Sequence, residues 1–201
     1  PWEEITSPDG AVEAGERLGY PVALKVSSAT IVHKSEMGGV RLNLATAAGL
    51  RGAAEELLRV ARAHDPAAAL VVQAMARPAH ETILGVSTDG KYGPLLMFGL
   101  GGIFVEVLKD VAFRVHPISD VDAAEMVRSI RAFPILDGAR GGIRASVPTI
   151  EEALQRIGHL VSEFPVIQEL DVNPFLAGAE PEACVAVDAR VSLAPPPKPP
   201  A

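Results

Sequence analysis

Two periodicities interleave along this chain, and their alternation narrows its fold more than any single motif does. Val40-Arg41-Leu42-Asn43-Leu44 alternates apolar and polar residues with period two, as a half-buried strand does. Thr46 then caps a helical segment reaching about residue 64, with Arg51, Glu55 and Arg59 spaced along its exposed face. The same exchange recurs on both sides. Residues 9–18 read as a short helix stopped by Gly19, and residues 21–26 as a buried strand carrying one charge, Lys25. Residues 69–75, 82–87, 95–98, 104–108 and 111–115 read as strands, with a turn at Thr88-Asp89-Gly90-Lys91. Ser119 or Asp120 caps a helix to about residue 131, and Thr149 caps another to about residue 163. Residues 134–148 read as a loop holding Arg140 and Arg144, and strands at 166–172 and 184–187 close the series. The expected class is α+β (or α/β), with mixed sheets flanked by helices.

Composition sets outer limits. With 201 residues, 48% of them apolar, the chain can bury one sizeable domain or two small lobes without external staples. A net charge of −7 argues against a nucleic-acid binder, which presents a basic face. The single cysteine, Cys184, excludes an internal disulfide framework and points to an intracellular setting; within Cys184-Val185-Ala186-Val187 it reads as a small buried hydrophobe. No apolar run is long enough to span a membrane. The start, Pro1-Trp2-Glu3-Glu4, is acidic, unlike a signal peptide, and its lack of an initiator Met suggests a processed chain or a fragment. The tail at 194–201 is almost all Pro and Ala and reads as an extended linker.

Three groups of residues carry chemistry. A Lys inside Val22-Ala23-Leu24-Lys25-Val26 pays a desolvation cost unless an anion compensates, so Lys25 is either a phosphate contact or an edge-strand Lys that snorkels to water. His33-Lys34-Ser35-Glu36-Met37-Gly38-Gly39 follows, with two bases, a hydroxyl and a Gly pair whose backbone N–H groups can form an anion nest. In Glu169-Leu170-Asp171-Val172-Asn173-Pro174 the three oxygen-bearing side chains share one face of a strand. With Asp188 they form either a solvated face or a hard-oxygen site of the kind Mg²⁺ takes. Three glycines in Gly99-Leu100-Gly101-Gly102 suit close approach to a ligand. Their spacing is neither a dinucleotide fingerprint nor a P-loop, so any nucleotide site is of another type.

These motifs, in this order, resemble the ATP-grasp part of ADP-forming acetate–CoA ligases, the NDP-forming acyl-CoA synthetases related to the succinyl-CoA synthetase β subunit. The matching runs are Gly19–Lys25, His33–Val40, Gly93–Gly102, Glu169–Pro174 and Val187-Asp188-Ala189-Arg190, and they span roughly residues 10–192. The resemblance implies two α+β lobes gripping a nucleotide, the smaller at about 10–75 and the larger at about 76–193. It implies that Lys25 contacts nucleotide phosphates and that Gly38 and Gly39 cover them. Gln73, Ala74 and Met75 would form the hinge strand along the adenine, and Glu81 would lie near the ribose. Arg114 would face the terminal phosphate. Asn173 and Asp188 would hold Mg²⁺ with Asp171 close by, and His33 would accept a phosphoryl group. The implied cofactors are ATP or ADP with Mg²⁺, and the implied reaction is acyl-CoA + ADP + phosphate ⇌ carboxylic acid + CoA + ATP. Phosphoryl transfer asks for Lys, a metal ion and backbone N–H groups to neutralise the moving charge, which fits.

Two departures bear on activity. The family's CoA-binding module and the loop with its main catalytic His are not found here. They are the expected partner, on the same chain or a separate subunit, and without it the chain binds nucleotide but does not complete the reaction. The family's ATP-grasp part also starts with an extra helix and strand before residue 1. The family often has Asp where Glu36 stands, a conservative change. Similar synthetase-like regions are fused to protein lysine acetyltransferases, so a regulatory module is the competing implication. Either way the expected chain is cytoplasmic, with no nucleic-acid or membrane partner.

Overall fold

The computed structural model describes residues 1–31, 38–102, 105 and 107–194. His33 and its neighbours 32 and 34–37 lie outside the described residues, as does the tail from 195. The chain divides into two units, Pro1–Ala76 and Arg77–Ala201.

The first unit is a four-stranded sheet with two helices on one face. Strands β1 (Trp2–Ile5), β2 (Val22–Ser27), β3 (Val40–Leu44) and β4 (Ala69–Ala74) are ordered β1-β4-β2-β3. Helix α1 (Pro8–Leu18) starts because Ser7 Oγ accepts the Gly10 N–H at 3.1 Å, and it stops at Gly19, whose φ of 84° suits only glycine well. Helix α2 (Ala47–His64) is capped by Thr46, as expected, and buries Leu50, Ala54, Leu57, Leu58 and Ala61 along one stripe. That stripe, with Ala11 and Ala14 of α1, packs on Val22, Leu24, Val26, Leu70 and Val72 of the sheet. The two helices come close because Gly15 has no side chain: a Cβ there would lie 2.7 Å from Leu50 Cδ2 and from the Tyr20 hydroxyl.

The second unit holds a larger sheet. Strands β5 (His80–Asp89), β6 (Gly93–Leu100), β7 (Val111–Val115), β8 (Ile167–Ala177) and β10 (Ala189–Leu193) are ordered β10-β8-β5-β6-β7, and β9 (Val185–Ala186) also pairs with β8. Helices α3 (Asp120–Ser129), the short α4 (Phe133–Leu136) and α5 (Val147–Glu163) accompany it. Met126, Ile150 and Leu154 from the helices pack on Leu84, Leu96 and Phe98 of the sheet. The Ser119 hydroxyl and the Asp122 carboxylate close a reciprocal capping box at the start of α3. Among the described residues no helix is long and apolar enough to cross a membrane.

The class is the expected one, but several details differ. Every strand pairing among the described residues is antiparallel, so the sheets are not mixed. In the first unit β3 reverses the chain before α2 returns it, which leaves β4 antiparallel to β2. Leu42 is 57% exposed rather than half-buried, because two residues, 42 and 43, oppose Ala23 alone and Asn43 turns left-handed at φ 57°. The run 104–108 is not a strand where it is described: the Lys109 N–H bonds the Val105 carbonyl, helical spacing, and Val107 and Leu108 are turn residues. The 134–148 stretch, read as a loop, holds most of α4 and a 3-10 turn at Ala139–Gly141. Helix α5 begins at Val147 after Ser146, with Thr149 already inside, because Pro148 suits the first turn. Strand β8 continues through Pro174, which sits at a bulge opposite Ile83 where no ladder N–H is required. Cys184 is half-buried against the core, whereas β9 beside it is exposed.

Candidate functional site

Each sheet has one face covered by helices α1–α2 or α3–α5 and one face that these helices leave free (called helix-free below), and the residues singled out in the sequence divide between these faces. In the first unit Val22, Leu24 and Val26 point into the helical core, so Ala23 and Lys25 point the other way. Strand β2 is internal, between β4 and β3, which removes the edge-strand reading of Lys25. Lys25 is half-buried, opposite Val71 on one side and Val40 on the other. Gln73 stands opposite Ala23 on the same face. Gly39, just before Val40, gives its carbonyl to the Val26 N–H at 2.9 Å, and Gly38 takes a left-handed φ of 64°. The register thus brings Lys25 beside the Gly38-Gly39 pair, with Gln73 a short step away on the same face. Ala74 closes β4 with its N–H bonded to the Pro1 carbonyl at 3.1 Å, and Met75 follows it.

In the second unit Leu170 packs into the helical core, with Val172 against it, which turns Glu169, Asp171 and Asn173 to the helix-free face. A groove of about 340 Å³ on that face is lined by Ile83, Gly85, Met97, Phe113, Asp171 and Asn173, among others. The Asn173 N–H bonds the Asp188 carbonyl at 3.1 Å, so the two proposed metal ligands stand opposite each other across β8 and the segment leading into β10. One Asp188 carboxylate oxygen accepts the Ala189 N–H at 3.0 Å, which fixes that side chain against the backbone. Gly85 stands opposite Asp171; a Cβ there would meet the Leu170 carbonyl at 3.1 Å and Asp171 Oδ1 at 3.9 Å. Burial pushes the Asp171 carboxyl above its ordinary range; the Arg190 charge opposes that shift and Asp188 adds to it.

Glu81 is exposed near the start of β5, and its carbonyl accepts the Gly101 N–H at 2.7 Å. A Cβ on Gly101 would come within 3.1 Å of Glu81, so this one glycine of the cluster serves the close approach of these two segments. Arg114 is not brought to Asp171 and Asn173. It shares its parity with Ala112, which packs in the helical core, and it lines a groove with Val121, Ala124 and Arg128 beside α3. The phosphate role implied for Arg114 therefore has no geometric support on this sheet. Arg190, given no role from the sequence, is the residue the register sets opposite Asp171.

The oxygen set suits a hard cation. Asn173 and Asp188 are adjacent, Asp171 is one alternation away, and its raised affinity for a proton is what a bound cation would relieve. Among the described residues no group of three or more His, Cys, Asp or Glu side chains converges as a closed metal cage would require.

A family model described as an ATP-grasp domain matches residues 1–193. The chain belongs to the ATP-grasp domain family. This ATP-grasp chain is 42% identical over 186 residues to the acetate–CoA ligase [ADP-forming] I subunit beta of Pyrococcus furiosus, covering 91% of the chain and 79% of that subunit. It superimposes at a TM-score of 0.88, with 38% identity, on a dinucleotide forming acetyl-coenzyme A synthetase 1 of Ca. Korarchaeum cryptofilum solved with coenzyme A, Ca-AMPCP and HgCl⁺, covering 96% of the chain and 85% of the other. A second structure of that synthetase, with coenzyme A and Mg-AMPPCP, has its phosphohistidine segment pointing towards the nucleotide binding site; it matches at a TM-score of 0.78 and 37% identity, over 94% and 85% of the two chains. An ATP-grasp domain is a nucleotide-binding domain, as the sequence resemblance implied. None of these relatives is an acetyltransferase, and the regulatory alternative has no support among them.

Proposed function

We propose that this ATP-grasp chain is the nucleotide-handling component of an ADP-forming acid–CoA ligase, working on ATP or ADP with Mg²⁺. The observation that carries the reading is the pairing of Asn173 with Asp188 on the helix-free face, beside Asp171. Two carboxylates and an amide oxygen leave room for water and phosphate oxygens, which is how Mg²⁺ is held with a nucleotide. Bound there, the ion would neutralise charge on the phosphates. On the first unit Lys25 supplies a fixed positive charge, and Gly38 and Gly39 allow backbone to approach the phosphates. Gln73, Ala74 and Met75 would border the adenine, and Glu81 the ribose. His33, outside the described residues, would take the phosphoryl group; the phosphohistidine segment of the related synthetase supports a histidine relay in this family. A CoA-binding module carrying its own catalytic His, on another chain or another part of this one, would complete the reaction; the relative named as a β subunit supports such a partner. The setting that supplies this chemistry is the cytoplasm.

Calorimetric titration of the folded chain with ADP and ATP, with and without Mg²⁺, tests the reading. Saturable binding strengthened by Mg²⁺ is expected in the parent, and Asp188→Asn should remove most of the Mg²⁺ dependence while leaving Mg²⁺-free binding in place. A folded sample that releases no heat with either nucleotide would overturn it.

A further inference from the structure

We propose that the Arg190 guanidinium holds the phosphate chain of the bound nucleotide beside the Asn173–Asp188 pair, the task that Arg114 does not serve. This rests on the nucleotide reading above.

The register is the argument. Strand β10 runs antiparallel to β8 with Ala189 opposite Val172, Arg190 opposite Asp171, Val191 opposite Leu170 and Ser192 opposite Glu169. The Asn173 N–H to Asp188 carbonyl bond extends the same ladder by one pair. Residues opposite each other in an antiparallel ladder point to the same face. Arg190 therefore shares the helix-free face with Asp171, and it stands two residues from Asp188. Two residues along a strand cover about 7 Å, within the span of a long side chain. Arg190 is exposed, so its head group can turn towards a ligand on that face.

The strands contribute no other such cation to this face. Among the described strand residues of the second unit the only Lys or Arg side chains are Arg114 and Arg190, and Arg114 lies on the helical side. The helix-free face otherwise carries the carboxylates Glu169 and Asp171 and apolar residues such as Met97 and Phe113. A polyphosphate approaching it meets repulsion unless a metal ion and a second positive charge offset those carboxylates. A guanidinium supplies that charge with a planar fork that matches two phosphate oxygens. The ligand class is thus a nucleoside di- or triphosphate, with the metal ion and Arg190 on neighbouring oxygens.

A simpler role, charge balance for Asp171 across the two strands, makes a different prediction. The test compares the parent chain with Arg190→Gln and Arg190→Lys by calorimetry, using AMP, ADP and ATP with Mg²⁺, and Mg²⁺ alone. Thermal unfolding checks that each variant is folded. Phosphate contact predicts a loss in Arg190→Gln that grows with the number of phosphates, roughly ten-fold or more for ATP and little for AMP, with part of it restored in Arg190→Lys. Equal affinity of parent and Arg190→Gln for all three nucleotides overturns the proposal and leaves the nucleotide reading standing. So does an equal loss across AMP, ADP and ATP, or tighter Mg²⁺ binding with no nucleotide-dependent change. A parent that binds none of the three overturns the nucleotide reading and this inference with it.

Discussion

On the helix-free face of Pro1–Ala76 the sheet offers Lys25, with Ala23 and Gln73 nearby; on that of Arg77–Ala201 it offers Glu169, Asp171 and Asn173, with Arg190 at the edge strand. The covered faces of the two sheets are both apolar and packed under helices, Val, Leu, Ile and small residues in the first and the same with Phe98 and Phe175 in the second. On the proposed function, the two free faces divide the chemistry between them. One sheet presents the Lys25 ammonium, with the Glu4 carboxylate two strands away on the same face, and a glycine pair leading into β3, the parts that the proposed function gives to phosphate. The other presents hard oxygens, which suits a cation. Stability should follow the covered faces and ligand response the free ones.

The sharpest way to break that division is to exchange the effects. Phe98 of the second unit and Leu50 of the first are fully buried. Phe98→Ala should cost about 3–5 kcal/mol and Leu50→Ala about 2–5 kcal/mol in denaturant unfolding, because each leaves a cavity in its own core. A comparable loss from Lys25→Ala would mean that the free faces also carry the fold. Lys25→Ala should instead weaken nucleotide binding by about 1–3 kcal/mol, measured by calorimetry, with and without Mg²⁺ alike. That contrasts with Asp188→Asn, whose effect should depend on Mg²⁺. Asp171→Asn sharpens the comparison from the stability side. Burial disfavours the Asp171 charge, so the variant should melt higher than the parent in metal-free buffer at neutral pH while gaining less from Mg²⁺.

Smaller effects belong to the helix caps. Thr46→Ala should destabilise by about 1 kcal/mol, read from the unfolding midpoint, since the Gly49 N–H loses its acceptor. The Asp122 carboxyl is held below its ordinary range by the Ser119 hydroxyl and N–H. Its folded value is depressed, so its contribution is present above the ordinary carboxylate range and is lost as pH falls through the lowered value. Ser119→Ala should flatten that acid limb, checked by melting the variant and the parent from neutral pH downward.

Much of this architecture was legible in the residues. The α2 cap at Thr46 and the alternation of Glu169, Asp171 and Asn173 both survive in the structure, because each depends on local geometry alone. Strand β1 was missed: Trp2–Ile5 is short and half acidic, and it forms only because β4 supplies a partner. Strand β10 was missed for the same reason, being an exposed edge held by β8. The placement of Arg114 on the helical side, and of Arg190 opposite Asp171, has a different cause. A sequence shows that residues alternate, but which of the two faces the helices cover depends on distant packing by Met126, Ile150 and Leu154. Parity was readable and its sign was not.

Gly85 shows how narrow the tolerance on such a face can be. It lies opposite Asp171 and lines the groove, and a methyl group there would press on the Leu170 main-chain oxygen; a backbone atom yields less readily than the end of a side chain. The displaced segment would carry Asp171 and, one alternation on, Asn173. Position 85 is therefore a place where main chain rather than ligand limits the side chain: whatever room a methyl group takes there must come from the strand that carries Asp171.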